Sequence, residues 1–288
     1  MLHAVVDAAP QPTLPTAVDG LVYGCVTHVP LWIDFPDYVT PICLGEAQGP
    51  GRHNLRDLAP EWVPHHPVLG GSAGSFALKN YVLQQPHVTQ VGLCQYRKFV
   101  TRQRIGVPSA NYQVMDVLSR QQLAQQAQEA SLFDLMQPGT TPFLIGHPGA
   151  FAMNGVNHDY LYQYKDVHHV EDFLRFTAAA VELGVLSKQE VDPFFRETIF
   201  FPGGIELGFY PADFWVKGIT DLENVVRYCV KHHPEPRTGS QLRSWAFCME
   251  RLGSFMVLKY LRTHGLQHPF GYLNLITEAD SLDYVPGA

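Results

Sequence analysis

The sequence contains no apolar run long enough to cross a lipid bilayer. Its first residues, 1–17, also lack the positively charged start and the apolar stretch of a secretory signal. Both absences argue against a membrane-spanning or secreted protein. We therefore expect a cytoplasmic protein, for which any association with a membrane would be peripheral, at the inner face.

Cysteine is scarce, and several metal-binding motifs are missing. The chain has 5 cysteines without a C-x-x-C pair, which predicts reduced thiols in the core. H-E-x-x-H does not occur among the 14 histidines, so we predict no dedicated zinc site. D-x-D, with which sugar-nucleotide enzymes usually hold a divalent ion, is also absent. We assign no metal ligands and no cofactor, and a requirement for Mn²⁺ or Mg²⁺ stays open.

Phosphate-binding loops and concentrated positive charge are missing as well. There is no Walker A sequence and no G-x-G-x-x-G after a predicted strand, which weakens kinase and dehydrogenase interpretations. The 20 Lys and Arg against 27 Asp and Glu give a net charge of -7, which argues against a nucleic-acid binder. Cations are therefore expected to act only in local clusters.

Apolar residues make up 46% of the 288 residues, which is enough to bury a large core. Strand patterns separated by helical patterns favour an α/β protein with one main domain. We predict an N-terminal arm over residues 1–18, the domain over residues 19–265, and a C-terminal tail or lid over residues 266–288.

Apolar periodicity places the main elements. The predicted strands include Leu21–Val26 and Val88–Cys94, and the predicted helices include Ser72–Gln85, Val170–Leu183 and Gln241–His264. The segment from Pro36 to Pro67 is dense in proline and glycine, which predicts mostly ordered loop.

Polar groups follow two of these strands where each one ends. The apolar run from Val91 breaks into Gln95, Tyr96, Arg97 and Lys98. In an open α/β sheet, ligands bind beyond the carboxyl ends of the strands, so a cation and an aromatic ring there suit a phosphorylated ligand. A plain surface turn is the alternative interpretation.

A second cluster, from Gln163 to Asp172, brings amide, phenol, amine, imidazole and carboxylate groups to the start of a helix. His168 and Asp172 are four residues apart, so on a helix they would share a face. That spacing suits an acid–base residue with its carboxylate partner, or two metal ligands. Ordinary capping of the following helix by Asp166 and Glu171 is the alternative.

Three smaller signals complete the candidates. Gly70–Gly74 fits G-x-S-x-G with Ser72 as the nucleophile, although no proper strand precedes it. Glu206 lies among small residues that let a ligand or another backbone approach. Glu250 and Arg251 flank the apolar stripe of the last long helix, where they form either an edge ion pair or part of a cleft.

Taken together, these stretches resemble the DUF4422 family, bacterial proteins from capsule and O-antigen gene clusters that are regarded as glycosyltransferases. The similar stretches, in chain order, are Pro41–Ala47, Leu78–Asn80, Val91–Phe99, Gln163–Asp172 and Glu250–Leu252. The family's His-Tyr-Arg-Arg is Gln95 to Lys98 here, and its Glu-Leu-Thr is replaced by Gly70-Gly71-Ser72. If that glutamate or histidine is needed for chemistry, this chain has altered specificity or is inactive.

The resemblance implies a GT-A-like fold, a mostly parallel central sheet flanked by helices, and transfer of a sugar from a nucleotide diphosphate, expected to be UDP, to a hydroxyl of a growing glycan. Nucleotide-binding residues are then expected at the two strand ends: Thr27, His28, Gln95, Tyr96, Arg97 and Lys98. His168, Asp172 and Glu206 are the candidate bases. Further substrate contacts are expected from Gln163, Tyr164, Lys165, Glu250 and Arg251.

Two alternatives of other classes stay open. One is a catalytically inactive nucleotide- or sugar-binding protein of the same fold. The other is a hydrolase that uses either a metal held by histidines or Ser72 as nucleophile.

Overall fold

The computed structural model describes residues 19–47, 53–110, 112, 114–129, 132–137, 141–153, 156–234, 237–266 and 269–278, with 126–129, 133, 152 and 153 described by backbone only. The predicted N-terminal arm, 1–18, and the last part of the predicted tail lie outside the described residues.

The strands are short, except for the first and the last. They are β1 Leu21–Thr27, β2 Val39–Cys43, β3 His53–Asn54, β4 Gln90–Gln95, β5 Lys98–Thr101, β6 Val107–Pro108, β7 Met115–Ser119, β8 Ile145–Gly146, β9 Gly149–Met153, β10 Val156–His158, β11 Ile199–Phe200, β12 Gly208–Pro211 and β13 Phe270–Thr277.

The helices include two long ones near the C-terminal end. They are α1 Leu55–Leu58, α2 His66–Leu69, α3 Ser72–Leu83, α4 Arg120–Glu129, α5 Leu132–Met136, α6 Tyr160–Val167, α7 Val170–Glu182, α8 Val191–Phe195, α9 Ala212–His232 and α10 Ser244–His264. Short 3₁₀ turns cover Pro60–His65, Lys188–Glu190 and Gly239–Arg243.

The central sheet has the strand order β3-β2-β1-β4-β5-β13-β7-β6, with β12 also paired to β4 and β8 also paired to β13. β1 is parallel to β2 and β4, and β13 is parallel to β7. β5 is antiparallel to both β4 and β13. The sheet is therefore mixed but mostly parallel, and β1, β4 and β13 end at the same edge. A small sheet, β10-β9-β11, lies apart from it.

Two cores cover the sheet, one on each face. Val26 of β1 and Leu93 of β4 belong to the core that α3, α7, α9 and α10 build, whereas Cys25 and Cys94 face a second core. Alternating side chains of a strand point to opposite faces, so a sheet buried on both sides is expected to show this division. The α/β architecture with a helix-flanked, mostly parallel sheet was predicted correctly.

Helix α3 packs unusually close to β1. A Cβ on Gly74 would lie 2.5 Å from Cγ1 of Val26, and one on Gly24 would lie 2.7 Å from Cδ2 of Leu78. These distances are shorter than a van der Waals contact, so only glycine fits. The close approach fixes the start of α3 near the carboxyl end of β1.

Three predictions about elements were wrong or incomplete. The segment from Pro36 to Pro67 is not mostly loop, because it holds β2, β3, α1, a 3₁₀ turn and the start of α2. Residues 270–277 are not a tail or lid: they form β13, between β5 and β7 in the middle of the sheet. Helix α9 was not predicted at all.

The described helices include none that is long and apolar enough to traverse a bilayer.

Candidate active site

The carboxyl ends of β1 and β4 lie side by side. Val26 pairs with Gln95, and the amide of Tyr96 donates a hydrogen bond of 3.1 Å to the carbonyl of Val26. The residues that follow the two strands are therefore neighbours in space. We call this group, Thr27, His28, Gln95, Tyr96, Arg97 and Lys98, the edge cluster.

Tyr96 is fixed by aromatic neighbours. Its ring packs edge-on against His28 and against Trp32, with ring centroids 5.2 Å apart in both pairs. The guanidinium carbon of Arg97 lies 5.7 Å from the Tyr96 centroid. Trp32 was not among the predicted site residues, and its isolated position in a proline-rich segment gave no signal.

The Thr27 side chain stabilises the turn after β1 and is not exposed to solvent. The residue is buried, and its hydroxyl donates a hydrogen bond of 2.5 Å to the carbonyl of Val29. It shapes the turn that presents His28, which is exposed. A direct contact of the Thr27 side chain with a nucleotide is therefore not favoured by this geometry.

Three cations act on one another at this edge. Burial lowers the pKa of Lys98 to about 8; the carboxylate of Glu250 opposes the shift, and Arg97 and Arg243 add to it. Partial desolvation by its neighbours also lowers the pKa of His28, again with contributions from Arg97 and Arg243. Such a concentration of positive charge suits an anion with several oxygens, such as a diphosphate.

Arg243 is a functional candidate that the sequence reasoning missed. It ends the 3₁₀ turn before α10 and is exposed. A Cβ on Gly70 would lie 3.2 Å from its Cδ, so the Gly70–Gly71 pair leaves room for this side chain. Nothing local in the sequence connects two segments so far apart.

Glu206 is a buried carboxylate whose charge, like that of Lys98, interacts with Glu250. Its oxygens accept hydrogen bonds from Ser75 at 2.6 Å and from Ser72 at 3.0 Å. Burial raises the pKa of Glu206 to about 7, the serines oppose the shift, and the charge of Glu250 adds to it. A carboxyl group that titrates near neutral pH can accept a proton during a reaction.

Glu250 lies on the other side of Glu206, on α10. Its Oε1 accepts a hydrogen bond of 2.7 Å from the amide of Gly203. The next residue, Gly204, has a φ of +56°, and a Cβ there would lie 2.5 Å from the carbonyl oxygen of Glu250. The glycine pair therefore lets the loop before β12 approach α10 and brings Glu206 close to Glu250.

Ser72 does not form a nucleophile elbow. It is the first residue of α3, and helix α2 with Gly70–Gly71, not a strand, precedes it. Its hydroxyl donates a hydrogen bond to the carboxylate of Glu206 and not to a histidine. The G-x-S-x-G match thus marks a helix start, and the serine hydrolase alternative loses its structural basis.

The predicted pairing of His168 with Asp172 is wrong. His168 follows the last residue of α6 with an extended backbone, whereas Asp172 lies in the first turn of α7, so they share no helix face. Asp172 is buried and accepts two hydrogen bonds from Arg237, at 2.7 and 3.0 Å. This forked pair has a structural role, and it removes Asp172 from the candidate bases.

His168 has other partners. Its Nδ1 lies 3.0 Å from Oε1 of Gln241, and its ring stacks on Phe247 with centroids 4.3 Å apart. Burial, followed by the charge of Arg251, lowers the pKa of His168 to about 4. The imidazole is therefore neutral at physiological pH, and its Nδ1 is already occupied by an amide.

Arg251 gathers the remaining predicted residues into a second group. The side chain is buried, and its Nη2 donates a hydrogen bond of 2.5 Å to Oε1 of Gln163. Its guanidinium carbon lies 4.8 Å from the ring centroid of Tyr164, a core residue that stacks on Phe173. Tyr164 therefore packs inside the domain instead of contacting a substrate.

Lys165 lies outside both groups. Its side chain is exposed, and its Nζ is 5.9 Å from the ring centroid of Tyr162. The structure thus divides the predicted site residues between the edge cluster with Glu206 and Glu250, the group around Arg251, and a separate surface position.

Among the described residues, no three or more His, Cys, Asp or Glu side chains group together in a way that could hold a metal ion.

Comparison with known proteins supports the architecture. A solved structure described as the WbbM bifunctional glycosyltransferase, in its apo form, superposes with a TM-score of 0.71 at 11% sequence identity. The match covers 90% of this chain and 46% of that chain, so this chain spans about half the length of the matched structure. The chain therefore has the fold of part of a glycosyltransferase.

The other two comparisons found no similarity. No family model matches the sequence. No curated protein matches it either.

Proposed function

We propose that this protein is a glycosyltransferase that moves a sugar from a nucleotide diphosphate, a UDP-sugar, to a hydroxyl of a growing surface glycan. One observation carries the proposal: Arg97, Lys98 and Arg243 concentrate positive charge at the sheet edge where β1 and β4 end, and Glu250 interacts both with Lys98 and with the buried Glu206. The glycosyltransferase fold supports it. The UDP donor and the glycan acceptor rest on the resemblance to the DUF4422 family.

Each group has a role in the transfer. Tyr96 and His28 present aromatic faces on which a nucleobase can stack. Arg97, Lys98 and Arg243 stabilise the negative charge that develops on the diphosphate as its bond to the sugar breaks. The anomeric carbon of the sugar forms its new bond to the acceptor oxygen.

Glu206 is the residue that we assign as proton acceptor. The acceptor hydroxyl loses its proton as its oxygen attacks, and a direct, inverting displacement needs a base for that proton. Of the three candidates from sequence, Asp172 is held by Arg237, and His168 lies against Phe247 and Gln241. Glu206 has a pKa of about 7, which leaves it as the best match.

A nucleotide panel tests the proposal. The full chain is heated with UDP, UDP-sugars, GDP and ADP, each with and without Mn²⁺, and the unfolding temperature is followed. A ligand that binds only the native state raises this temperature. We expect uridine diphosphates to raise it, and no shift with any nucleotide, with or without Mn²⁺, would overturn the proposal.

Transfer itself is tested by release of UDP in the presence of glycan acceptors. Release that depends on both acceptor and Glu206 supports an active enzyme. Binding of UDP without release on any acceptor would favour the inactive binding protein, as the Gln95 and Gly70–Gly71 departures allow. Peripheral association with the inner face of a membrane stays a prediction from the sequence.

A further inference from the structure

A cavity of about 320 Å³ lies away from the edge cluster, near the amino ends of β7 and β13. It is lined by Arg104, Val114, Asp116, His147, Tyr272 and Leu273. Because β13 runs in the same direction as β4, these amino ends are at the opposite edge of the sheet from Tyr96 and Arg97. The cavity is therefore separate from the proposed donor site.

Asp116 is an incompletely satisfied carboxylate in the wall of this cavity. Its exposed fraction is 3%, and among the described residues only Arg104 supplies a donor group to its Oδ2. Nε of Arg104 lies 2.9 Å from Oδ2 and forms an ion pair with it. A carboxylate oxygen can accept more than one hydrogen bond, so a bound molecule can supply a second donor.

Asn274 provides a second acceptor of the same kind. It pairs in register with Asp116 on the adjacent strand and is completely buried. Its Nδ2 donates to Oγ1 of Thr101 and to the carbonyl of Tyr272, both at 2.9 Å, whereas its Oδ1 has no partner among the described residues. Register partners on neighbouring strands project to the same face of a sheet, so the Asn274 and Asp116 side chains share that face.

The mouth of the cavity carries hydrogen-bond donors and aromatic rings. Arg104 and His147 are exposed, and the guanidinium carbon of Arg104 lies 4.9 Å from the Tyr272 centroid. The ring of His147 lies 5.5 Å from Tyr272 and 5.6 Å from Phe270, which is 36% exposed. Polar donors and apolar ring surfaces therefore alternate around the opening.

These features select a class of ligand by charge and size. A cation would be repelled by Arg104, and an anion would be repelled by the buried Asp116. A neutral molecule with several hydroxyls avoids both conflicts, because a hydroxyl donates and accepts. The volume is at the small end for ligand sites, which fits about one ring.

We propose that this cavity binds one ring of a neutral carbohydrate, whose hydroxyls donate to Asp116 and accept from Arg104 and His147. The apolar C–H face of the ring packs against the aromatic side chains at the mouth. Such a site would anchor a glycan at a distance from the place of transfer. The inference goes beyond the proposed function and does not require the donor site.

Saturation-transfer NMR on the full chain tests the inference. The probes are galactose, glucose, mannose and N-acetylglucosamine, each at about 10 mM, because a single ring with few contacts is expected to bind weakly. We expect at least one sugar to bind. Asp116→Asn should weaken its binding by about tenfold, since a hydrogen bond to a charged group is lost. Asp192→Asn, at the exposed pair with Arg196, is the matched control and should bind as the parent does.

The outcomes separate this inference from the proposed function, because UDP binding is measured on the same samples. If a sugar binds, its binding depends on Asp116 and UDP does not bind, the inference is supported and the proposed donor site is contradicted. UDP binding without any sugar binding overturns the inference. Sugar binding that none of the variants weakens overturns it as well. In both cases the cavity holds water only. If Asp116→Asn does not fold, the exposed His147→Ala and Arg104→Ala decide by the same criterion.

Discussion

Ser75 donates a hydrogen bond of 2.6 Å to Glu206, across 131 positions of sequence. The contact ties the start of α3 to the loop before β12, beside the edge cluster. Glu206 receives neutral hydroxyl donors in place of a cation, and burial therefore dominates and raises its pKa to about 7. This relationship makes Glu206 able to exchange a proton near neutral pH.

Replacement of Glu206 by glutamine should reduce sugar transfer by about a hundredfold or more, the usual contribution of a general base. In the parent protein, the base must be ionised, so the rate should rise with pH and level off above about 7. UDP release at a series of pH values measures both. Glu171→Gln, an exposed position on α7, is the control and should keep the parent rate and profile. A Glu206→Gln rate equal to that of the parent would remove this residue as the base.

The same substitution should change stability with pH. The folded-state pKa of Glu206 is raised from its ordinary 4.5 to about 7, so the folded protein holds the proton more tightly than the unfolded chain. The contribution of Glu206 to the free energy of unfolding is fully present below the pKa of the unfolded chain. It is lost as the pH rises through the folded-state pKa, and the loss amounts to roughly 3 kcal/mol. Glu206→Gln should remove this loss, as urea unfolding at about pH 5 and pH 8 would measure. An equal pH dependence in both proteins would contradict the raised pKa.

Lys98 should make nucleotide affinity depend on pH. Burial lowers its pKa to about 8, so its positive charge disappears as the pH rises above that value. The affinity for UDP should therefore fall at higher pH, and Lys98→Met should weaken binding by about tenfold while flattening this dependence. Lys217→Met, at an exposed position paired with Asp221, is the control for loss of one positive charge. Unchanged UDP affinity in Lys98→Met would exclude Lys98 from the site.

Arg237 should matter for folding and not for catalysis. Its removal leaves the buried Asp172 without its forked partner, so Arg237→Ala should lower the free energy of unfolding by about 3–5 kcal/mol. Arg196→Ala breaks an exposed pair with Asp192 and should cost less than about 1 kcal/mol. Urea unfolding gives the two values. UDP affinity of the folded Arg237→Ala protein should match the parent, and a selective loss of affinity would return Asp172 to the site.

Gly74→Ala should disturb the site through the fold. The new Cβ would lie 2.5 Å from Val26, so α3 must move away from β1. Overpacking of this kind costs about 1–3 kcal/mol. Because Ser75 is the next residue, its hydrogen bond to Glu206 should weaken too. This hydrogen bond lowers the pKa of Glu206, so the pH profile of transfer should shift to higher pH. A variant with parent stability and an unchanged profile would contradict the close packing.

Local patterns predicted the elements that local forces define. Helices α7 and α10 follow from their apolar stripes, and the structure ends them at Gly184 and Gly265, with φ of +72° and +57°. A capping box starts α4, because Ser119 and Gln122, three residues apart, exchange two hydrogen bonds.

For some elements, the sequence contains a pattern that the predictions above do not include. Pro60 lies at the first position of a 3₁₀ turn and Pro67 in the first turn of α2, where proline is favourable, yet both were interpreted as breakers. Helix α9 buries Trp215, Ile219 and Leu222 at helical spacing, a pattern that the sequence contains. Strand β13 differs, because a strand buried on both faces shows no alternation from which to predict it.

The same distinction between local patterns and distant contacts applies to the site residues. The strand-end placement of Tyr96 and Arg97 could be predicted, because polar residues after adjacent parallel strands meet at one edge. The partners of His168 and Asp172 could not, since Gln241 and Arg237 are 73 and 65 positions away and only tertiary packing selects them. Arg243 and Ser75 belong to the same class of distant contact.

The central claim is that the edge cluster binds a nucleotide diphosphate, and titration calorimetry of UDP tests it most directly. The account predicts one UDP per chain for the parent and for Arg104→Ala, which alters only the distant cavity, with binding weakened about tenfold or more in Arg97→Ala. Equal affinity in the parent and in Arg97→Ala, or no UDP binding by the parent with or without Mn²⁺, would contradict the account.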